Sequence, residues 1–138
     1  MFIISRQFDF CYGHRLLGHS GKCRHLHGHN GVAVIKFESR RLDEHGMVLD
    51  FAEIKRVVEH WLDENLDHRM ILERTDPAVR PLQALGEPLY LLDSPPTAEN
   101  IARLIFQVVA DFGLPVVEVQ LWETAACCAV YRRDTAET

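Results

Sequence analysis

Near the start of the chain, apolar and aromatic side chains fall on every second position. Phe8, Phe10, Tyr12 and His14 share one face of a strand predicted over residues 2–16. "HNGVAVIKFES" (29–39) predicts a second strand, with Val32, Val34 and Ile35 in its apolar part. After the turn "DEHG" (43–46) the period changes. Phe51, Ile54, Val57, Val58, Trp61, Leu62 and Leu66 recur at helical spacing, and Asp50 and Glu53 are spaced as a capping box with Asp50 at the N-cap. A helix running to about Leu66 follows. Thr97 is a suitable N-cap for a second amphipathic helix built on Ile101, Leu104, Ile105, Val108, Val109 and Phe112, stopped by Gly113 and Pro115. "VVEVQLWE" then alternates as a strand, and "CCAVYRR" is its hairpin partner across "TAA". Residues 67–96 are less regular. Asp76-Pro77 suits the start of a short helical piece, Pro81 limits its length, and "EPLYLLD" reads as a short strand or an extended crossing.

The order is strand pair, helix, irregular segment, helix, strand pair. Strands grouped in hairpins with helices between them predict an α+β domain, an antiparallel sheet with helices on one face. The other face stays uncovered in a monomer, and apolar positions there favour assembly. The 138 residues fit one domain spanning 1–138, long enough to bury a core without metal or disulfide staples.

Composition narrows the function classes. Hydrophobic residues are 47% and charged residues 25%, ordinary for a soluble globular protein. A net charge of −5 does not favour a nucleic-acid partner or an anionic membrane surface. No apolar run approaches the roughly 18 residues of a membrane span, and "MFIISRQFDF" lacks the basic and apolar regions of a secretory signal. The cysteines are Cys11, Cys23, Cys127 and Cys128; adjacency of the last two does not suit a two-bridge framework, so a reduced, cytoplasmic protein is expected.

The candidate chemistry centres on "CRHLHGHN" (23–30), which places Cys23, His25, His27 and His29 on alternate positions. In an extended strand residues i and i+2 point the same way, so His27 and His29 form a two-toothed ligand pair. His25 and His27 have the same spacing, and spacing alone does not choose between the pairs. A third ligand has to come from another element, and His14, at the end of the first strand's inward row, is the best candidate. Three histidines with an open fourth position describe a catalytic Zn²⁺ site; a structural Cys-His site is the main rival. If residues 23–29 are all extended, Cys23 lies about 13 Å from His27 at ~3.3 Å per residue, too far to share one ion. If the segment curls, the objection lapses.

A second polar cluster, "LDHR" (66–69), follows the first long helix. Asp67 and His68 there either cap the helix end or act chemically, His68 exchanging a proton with Cys23 while Asp67 orients it and stabilises its cation. A free thiol, with a pKa of about 8.5, needs such help to act as a base near neutrality. Glu123, ending "VVEVQLWE", is a solvated strand end or a carboxylate for paired N–H donors.

Together "YGHRL" (12–16), "CRHLHGH" (23–29), "VLDFAEIK" (48–55), "LDHR" (66–69), "PTAENIA" (96–102) and "WET" (122–124) resemble, in order and over nearly the whole chain, the 6-pyruvoyltetrahydropterin synthase superfamily, most closely its bacterial 6-carboxytetrahydropterin synthase branch. The resemblance implies zinc ligands His14, His27 and His29, favouring the second histidine pair. It implies that Cys23 is catalytic with Asp67 and His68, and that Glu123 anchors the pterin with help from Thr97. It implies the tunnelling fold, a four-stranded antiparallel sheet with two helices, assembled into barrels as a homo-oligomer (trimer or hexamer) with active sites at subunit interfaces. Two features depart from the pattern: residues 69–95 are longer than in compact members, and Cys127-Cys128 maps to no family role.

The implied activity is a zinc-dependent lyase that converts 7,8-dihydroneopterin triphosphate to 6-carboxy-5,6,7,8-tetrahydropterin, releasing acetaldehyde and triphosphate, as a step toward 7-deazaguanine (queuosine-type) nucleosides. The alternatives are the sister 6-pyruvoyltetrahydropterin synthase activity, which eliminates triphosphate and keeps the carbon chain, and a non-catalytic zinc- or pterin-binding module. The redox change is internal to the substrate, in keeping with the lack of a G-x-G-x-x-G fingerprint. Lys22, Arg24 and Arg15 flank the motif as candidate triphosphate contacts.

Overall fold

A computed structural model describes residues 1–134. The first two strands form one long antiparallel hairpin, β1 (Phe2–His14) and β2 (His27–Ser39), in register from Phe2↔Ser39 to His14↔His27. Alternation works as the sequence requires. Phe8, Phe10, Tyr12 and His14 are buried on β1, and Gly31, Ala33, Ile35 and Phe37 on β2. Helix α1 covers residues 51–65, α-helical at Phe51–Ile54 and His60–Asn65 with a π-helical stretch at Lys55–Glu59 between them. Asp50 is its N-cap, accepting from the Ala52 N–H at 2.8 Å. Glu53 is drawn off to Arg56, so the capping role falls to Asp50.

The predicted four-stranded antiparallel sheet needs correction. The sheet has six strands, is mixed, and runs in the order β4-β3-β1-β2-β5-β6. β5 (Val116–Thr124) pairs antiparallel with β2, and β6 (Cys127–Arg132) antiparallel with β5. The two additional strands come from the segment that showed no clear period. β3 (Arg69–Glu73) lies parallel to β1 over Tyr12–His14, and β4 (Leu89–Leu92) lies parallel to β3. A parallel pair needs a crossover, supplied here by the short helix α2 (Val79–Ala84), whose Pro81 sits in the first turn, where its missing N–H costs nothing. Strands of five and four residues are too short to display a period of two.

Helix α3 (Ala98–Asp111) begins at Thr97, whose Oγ1 accepts from the Asn100 N–H at 3.2 Å. Its buried face is Ile101, Ala102, Ile105, Phe106 and Val109, rotated slightly from the predicted stripe, so that Phe112 is exposed. Ile54, Val58, Leu62 and Leu66 of the α1 region and the buried face of α3 belong to one core with the inward rows of β1, β2 and β5. Both long helices therefore cover the same face of the sheet. The opposite face, including Val32, Val34 and Trp122, is left uncovered among the described residues. No described helix is long and apolar enough to cross a membrane.

Candidate metal centre and proton-transfer pair

Strand register builds the candidate metal site. His14 is directly opposite His27, and Tyr12 opposite His29, so His14, His27 and His29 converge at one end of the hairpin on the core-facing side. One ring nitrogen from each lies within 4.8 Å of the other two. Second contacts choose the nitrogen. His14 Nδ1 is 2.7 Å from the Pro96 carbonyl, and His27 Nδ1 is 2.7 Å from the His25 carbonyl. A carbonyl only accepts, so both rings carry Nδ1–H and leave the Nε2 lone pair for a metal. The Nε2 atoms of His14 and His29 are 3.1 Å apart. Tetrahedral zinc with Zn–N bonds of 2.0–2.1 Å places two nitrogens about 3.3 Å apart, so the donor set fits that ion. Burial disfavours the charged form of His14 and lowers its pKa, despite the Pro96 carbonyl and Glu123 pulling the other way.

Cys23 stays outside this donor group. The reason differs from the one strand geometry offered: the segment is not extended, because Lys22–Arg24 forms a single 3₁₀ turn. The Cys23 carbonyl accepts from the Leu16 N–H at 2.8 Å, which ties the turn two residues beyond His14. The cysteine is half-buried. His25 is likewise no ligand. It contributes its carbonyl to His27, a role that side-chain spacing does not reveal.

Glu123 continues the inward row of β5 after Val119 and Leu121, which brings it to the same site, next to a bulge against β6. Trp122 pairs with Cys128 and Thr124 with Cys127, leaving Glu123 as the extra residue on β5. Its Oε1 lies 3.7 Å from His14 Nε2 and its Oε2 3.9 Å from His29 Nε2. The carboxylate thus borders the three-histidine donor set, with one oxygen toward His14 and the other toward His29. Tyr12, buried among Phe10, His14 and His29, points its hydroxyl at Glu123 Oε1. Burial, reinforced by Glu123, pushes the Tyr12 hydroxyl far up, so it is a donor at any physiological pH.

Asp67 and His68 form a pair, with His68 Nδ1 2.8 Å from Asp67 Oδ2. The other Asp67 oxygen accepts from the Cys11 N–H at 2.9 Å, and the His68 N–H donates to the Cys11 carbonyl at 2.6 Å. The pair thus grips one residue of β1 from the edge opposite β2. His68 adopts a left-handed backbone, φ 58°, the conformation that ends helices; helix termination and dyad formation are one feature here. Its exposed ring borders an open groove that Cys11, His27, Gly28, His29 and Asn30 also line. Among the described residues no hydrogen bond joins Cys23 to Asp67 or His68.

Arg15 is not free for a phosphate. Its guanidinium makes a bidentate contact with the buried Asp76 carboxylate, which also caps the Ala78 N–H at 2.8 Å. Lys22 and Arg24 remain exposed on the turn. Sequence reasoning missed Tyr12, the Pro96 and His25 carbonyls and the Arg15–Asp76 pair. Only the acid-base character of Arg15 and Asp76 was visible beforehand, and 61 residues separate them.

Residues 3–134 match the family model for 6-pyruvoyl tetrahydropterin synthase. The chain is 36% identical over 130 residues to the 6-carboxy-5,6,7,8-tetrahydropterin synthase of Rickettsia typhi, covering 89% of this chain and 94% of that one. It is 32% identical over 140 residues to the enzyme of the same name from Haemophilus influenzae, covering 96% and 99%. Among solved structures, an uncharacterized protein of Wolinella succinogenes superposes with a TM-score of 0.81 at 28% identity, covering 96% of this chain and 98% of that one. The 6-pyruvoyl tetrahydropterin synthase of Caenorhabditis elegans superposes with a TM-score of 0.71 at 25% identity, covering 96% of each.

Proposed function

The chain belongs to the 6-pyruvoyl tetrahydropterin synthase family, and from that premise we propose that it is a 6-carboxy-5,6,7,8-tetrahydropterin synthase. It acts on 7,8-dihydroneopterin triphosphate and releases acetaldehyde and triphosphate, in the cytoplasm, toward 7-deazaguanine nucleosides. The observation that carries this reading is the convergence of His14, His27 and His29 with Glu123 on their border, in a chain whose relatives from Rickettsia typhi and Haemophilus influenzae bear that enzyme's name.

His14, His27 and His29 hold zinc, which supplies Lewis acidity toward the oxygens of the substrate side chain. Glu123 accepts the paired N–H donors of the amino-pyrimidinone ring, fixing the pterin at the edge of the histidine cluster. Thr97 assists: its oxygen caps α3, and its hydroxyl proton stays available to donate. The Cys23 thiolate takes a proton from the side chain. His68, through Nε2, carries the proton on the opposite side, while the Asp67 carboxylate at Nδ1 stabilises the imidazolium.

Open strand edges support action as a homo-oligomer, a trimer or hexamer, in which a neighbour's His68 completes the site. β1 pairs with β3 only over Tyr12–His14, so its edge along residues 2–10 is open, as is the outer edge of β6. Phe2, Ile3 and Val130 on those strands are about half exposed. Adding β6 of one copy to β1 of the next continues the sheet toward a closed barrel and covers both of these edges.

Zinc-loaded protein incubated with 7,8-dihydroneopterin triphosphate is expected to yield acetaldehyde and a product with the mass of 6-carboxytetrahydropterin. A pyruvoyl product without acetaldehyde would assign the sister activity. Cys23→Ala is expected to abolish turnover while retaining a full complement of zinc. Turnover unchanged in that variant would sink the catalytic assignment of Cys23.

A further inference from the structure

Tyr12 is buried, 3% exposed, in the middle of the metal end of the hairpin. Its ring stacks on Phe10 with centroids 5.4 Å apart and meets His14 edge-on at 5.3 Å and His29 at 5.6 Å. The fourth side of the ring is closed by β2 itself: a Cβ on Gly31 would lie 2.8 Å from the Tyr12 ring, so the glycine is what admits it. An aromatic ring held on four sides has one place to send its hydroxyl. That hydroxyl is 3.4 Å from Glu123 Oε1 and has no other hydrogen-bond partner among the described residues. A phenylalanine would fill the same apolar slot. The hydroxyl is a polar group in an otherwise apolar position, and it faces the carboxylate beside the metal ligands.

Glu123 needs such a restraint. At the register shift between Trp122 and Thr124 it has no partner on β6, so its side chain is held from the β1–β2 side. A carboxylate that approaches His14 with one oxygen and His29 with the other has a specific orientation to keep. We infer that Tyr12 is a positioning residue, whose hydroxyl holds Glu123 at the His14–His29 edge so that the pterin anchor and the metal ligands keep one fixed spacing. This rests on the reading of Glu123 as the pterin anchor. The contact is long for a hydroxyl–carboxylate hydrogen bond, so its effect is a modest one on binding. An anchor acts alike in the ground and transition states, so the loss falls on KM with little change in kcat.

The experiment compares Tyr12→Phe, Glu123→Ala and the double variant in the zinc-loaded protein. Two measurements are made: steady-state kinetics with 7,8-dihydroneopterin triphosphate, and fluorescence titration with unphosphorylated neopterin as a probe for the ring alone. Tyr12→Phe is expected to raise KM and the neopterin Kd roughly three- to tenfold, with kcat within about twofold and zinc content and Tm unchanged. In the Glu123→Ala background the same substitution is expected to add nothing, the signature of two residues acting as one unit. A Tyr12→Phe protein that binds neopterin normally while Glu123→Ala does not overturns the role of Tyr12 and leaves the anchor in place. An effect of Tyr12→Phe that persists undiminished without Glu123 also overturns it. Normal neopterin binding by Glu123→Ala removes the anchor reading itself, and the inference with it.

Discussion

His14 Nδ1 lies 2.7 Å from the carbonyl oxygen of Pro96, the residue that precedes the N-cap of α3. This contact joins the metal end of β1 to the start of a helix 82 residues away in sequence. It sets the tautomer of the most buried of the three histidines. His14→Ala removes both the ligand and the anchor of that tautomer. Loss of an outer partner alone typically costs 10–100-fold in metal affinity, so zinc affinity is expected to fall by more than about 100-fold. Competition with a chromophoric chelator, followed by metal analysis, measures it.

Asp67 holds two donors with two oxygens, the Cys11 N–H and His68 Nδ1–H. An asparagine keeps the first contact through its amide oxygen but presents an N–H to His68, forcing the proton to Nε2. Asp67→Asn is therefore expected to fold normally and lose about 10²–10⁴ in kcat, by analogy with the same exchange in a serine-protease triad. Thermal melts that match the parent protein, together with single-turnover rates, test it; a wild-type rate would remove Asp67 from the proton relay.

Asp76 is buried and Arg15 only partly exposed. Removing the carboxylate leaves the guanidinium without its partner and the Ala78 N–H without its cap. Asp76→Ala is expected to destabilise the fold by about 2–4 kcal/mol, at the lower end for broken buried pairs because Arg15 keeps some access to water. Urea unfolding at constant m-value reads the change.

Glu118, on the uncovered face of the sheet, is 5% exposed at its side chain and meets Lys36 at 2.8 Å and Arg132 at 2.6 Å. Burial alone would raise its pKa; hydrogen bonds from Lys36, Arg132 and Gln120 outweigh that and hold it at about 2. A carboxyl lowered in the folded state stabilises the fold above its unfolded pKa, and that stability is lost as pH falls toward the folded value. The contribution is thus present at neutral pH and disappears between about pH 5 and pH 2. Lys36→Ala is expected to shift acid unfolding to higher pH, with a smaller shift for the more exposed Arg132→Ala. Circular dichroism against pH follows both.

Much of this protein was written in local pattern. The long hairpin, both long helices and the β5–β6 hairpin follow from periods of two and 3.6, because each buries a continuous stripe of its own residues. Alternation along β1 and β2 also put His14, His27 and His29 on inward rows, and family motifs then named Cys23, Asp67, His68 and Glu123. Other features depended on contacts between distant segments. β3 and β4 are too short to show a period and exist because β1 offers an edge. The turn at Lys22–Arg24, rather than extension, keeps Cys23 out of the metal's donor set. The Tyr12 hydroxyl, 111 residues away in sequence, meets Glu123, and a backbone carbonyl from Pro96 orients His14. Periodicity reports only which face of an element is buried. Which partner meets that face, at what register and through which backbone atom, is decided when the elements pack, and for that reason only the tertiary structure showed what holds the three histidines in place.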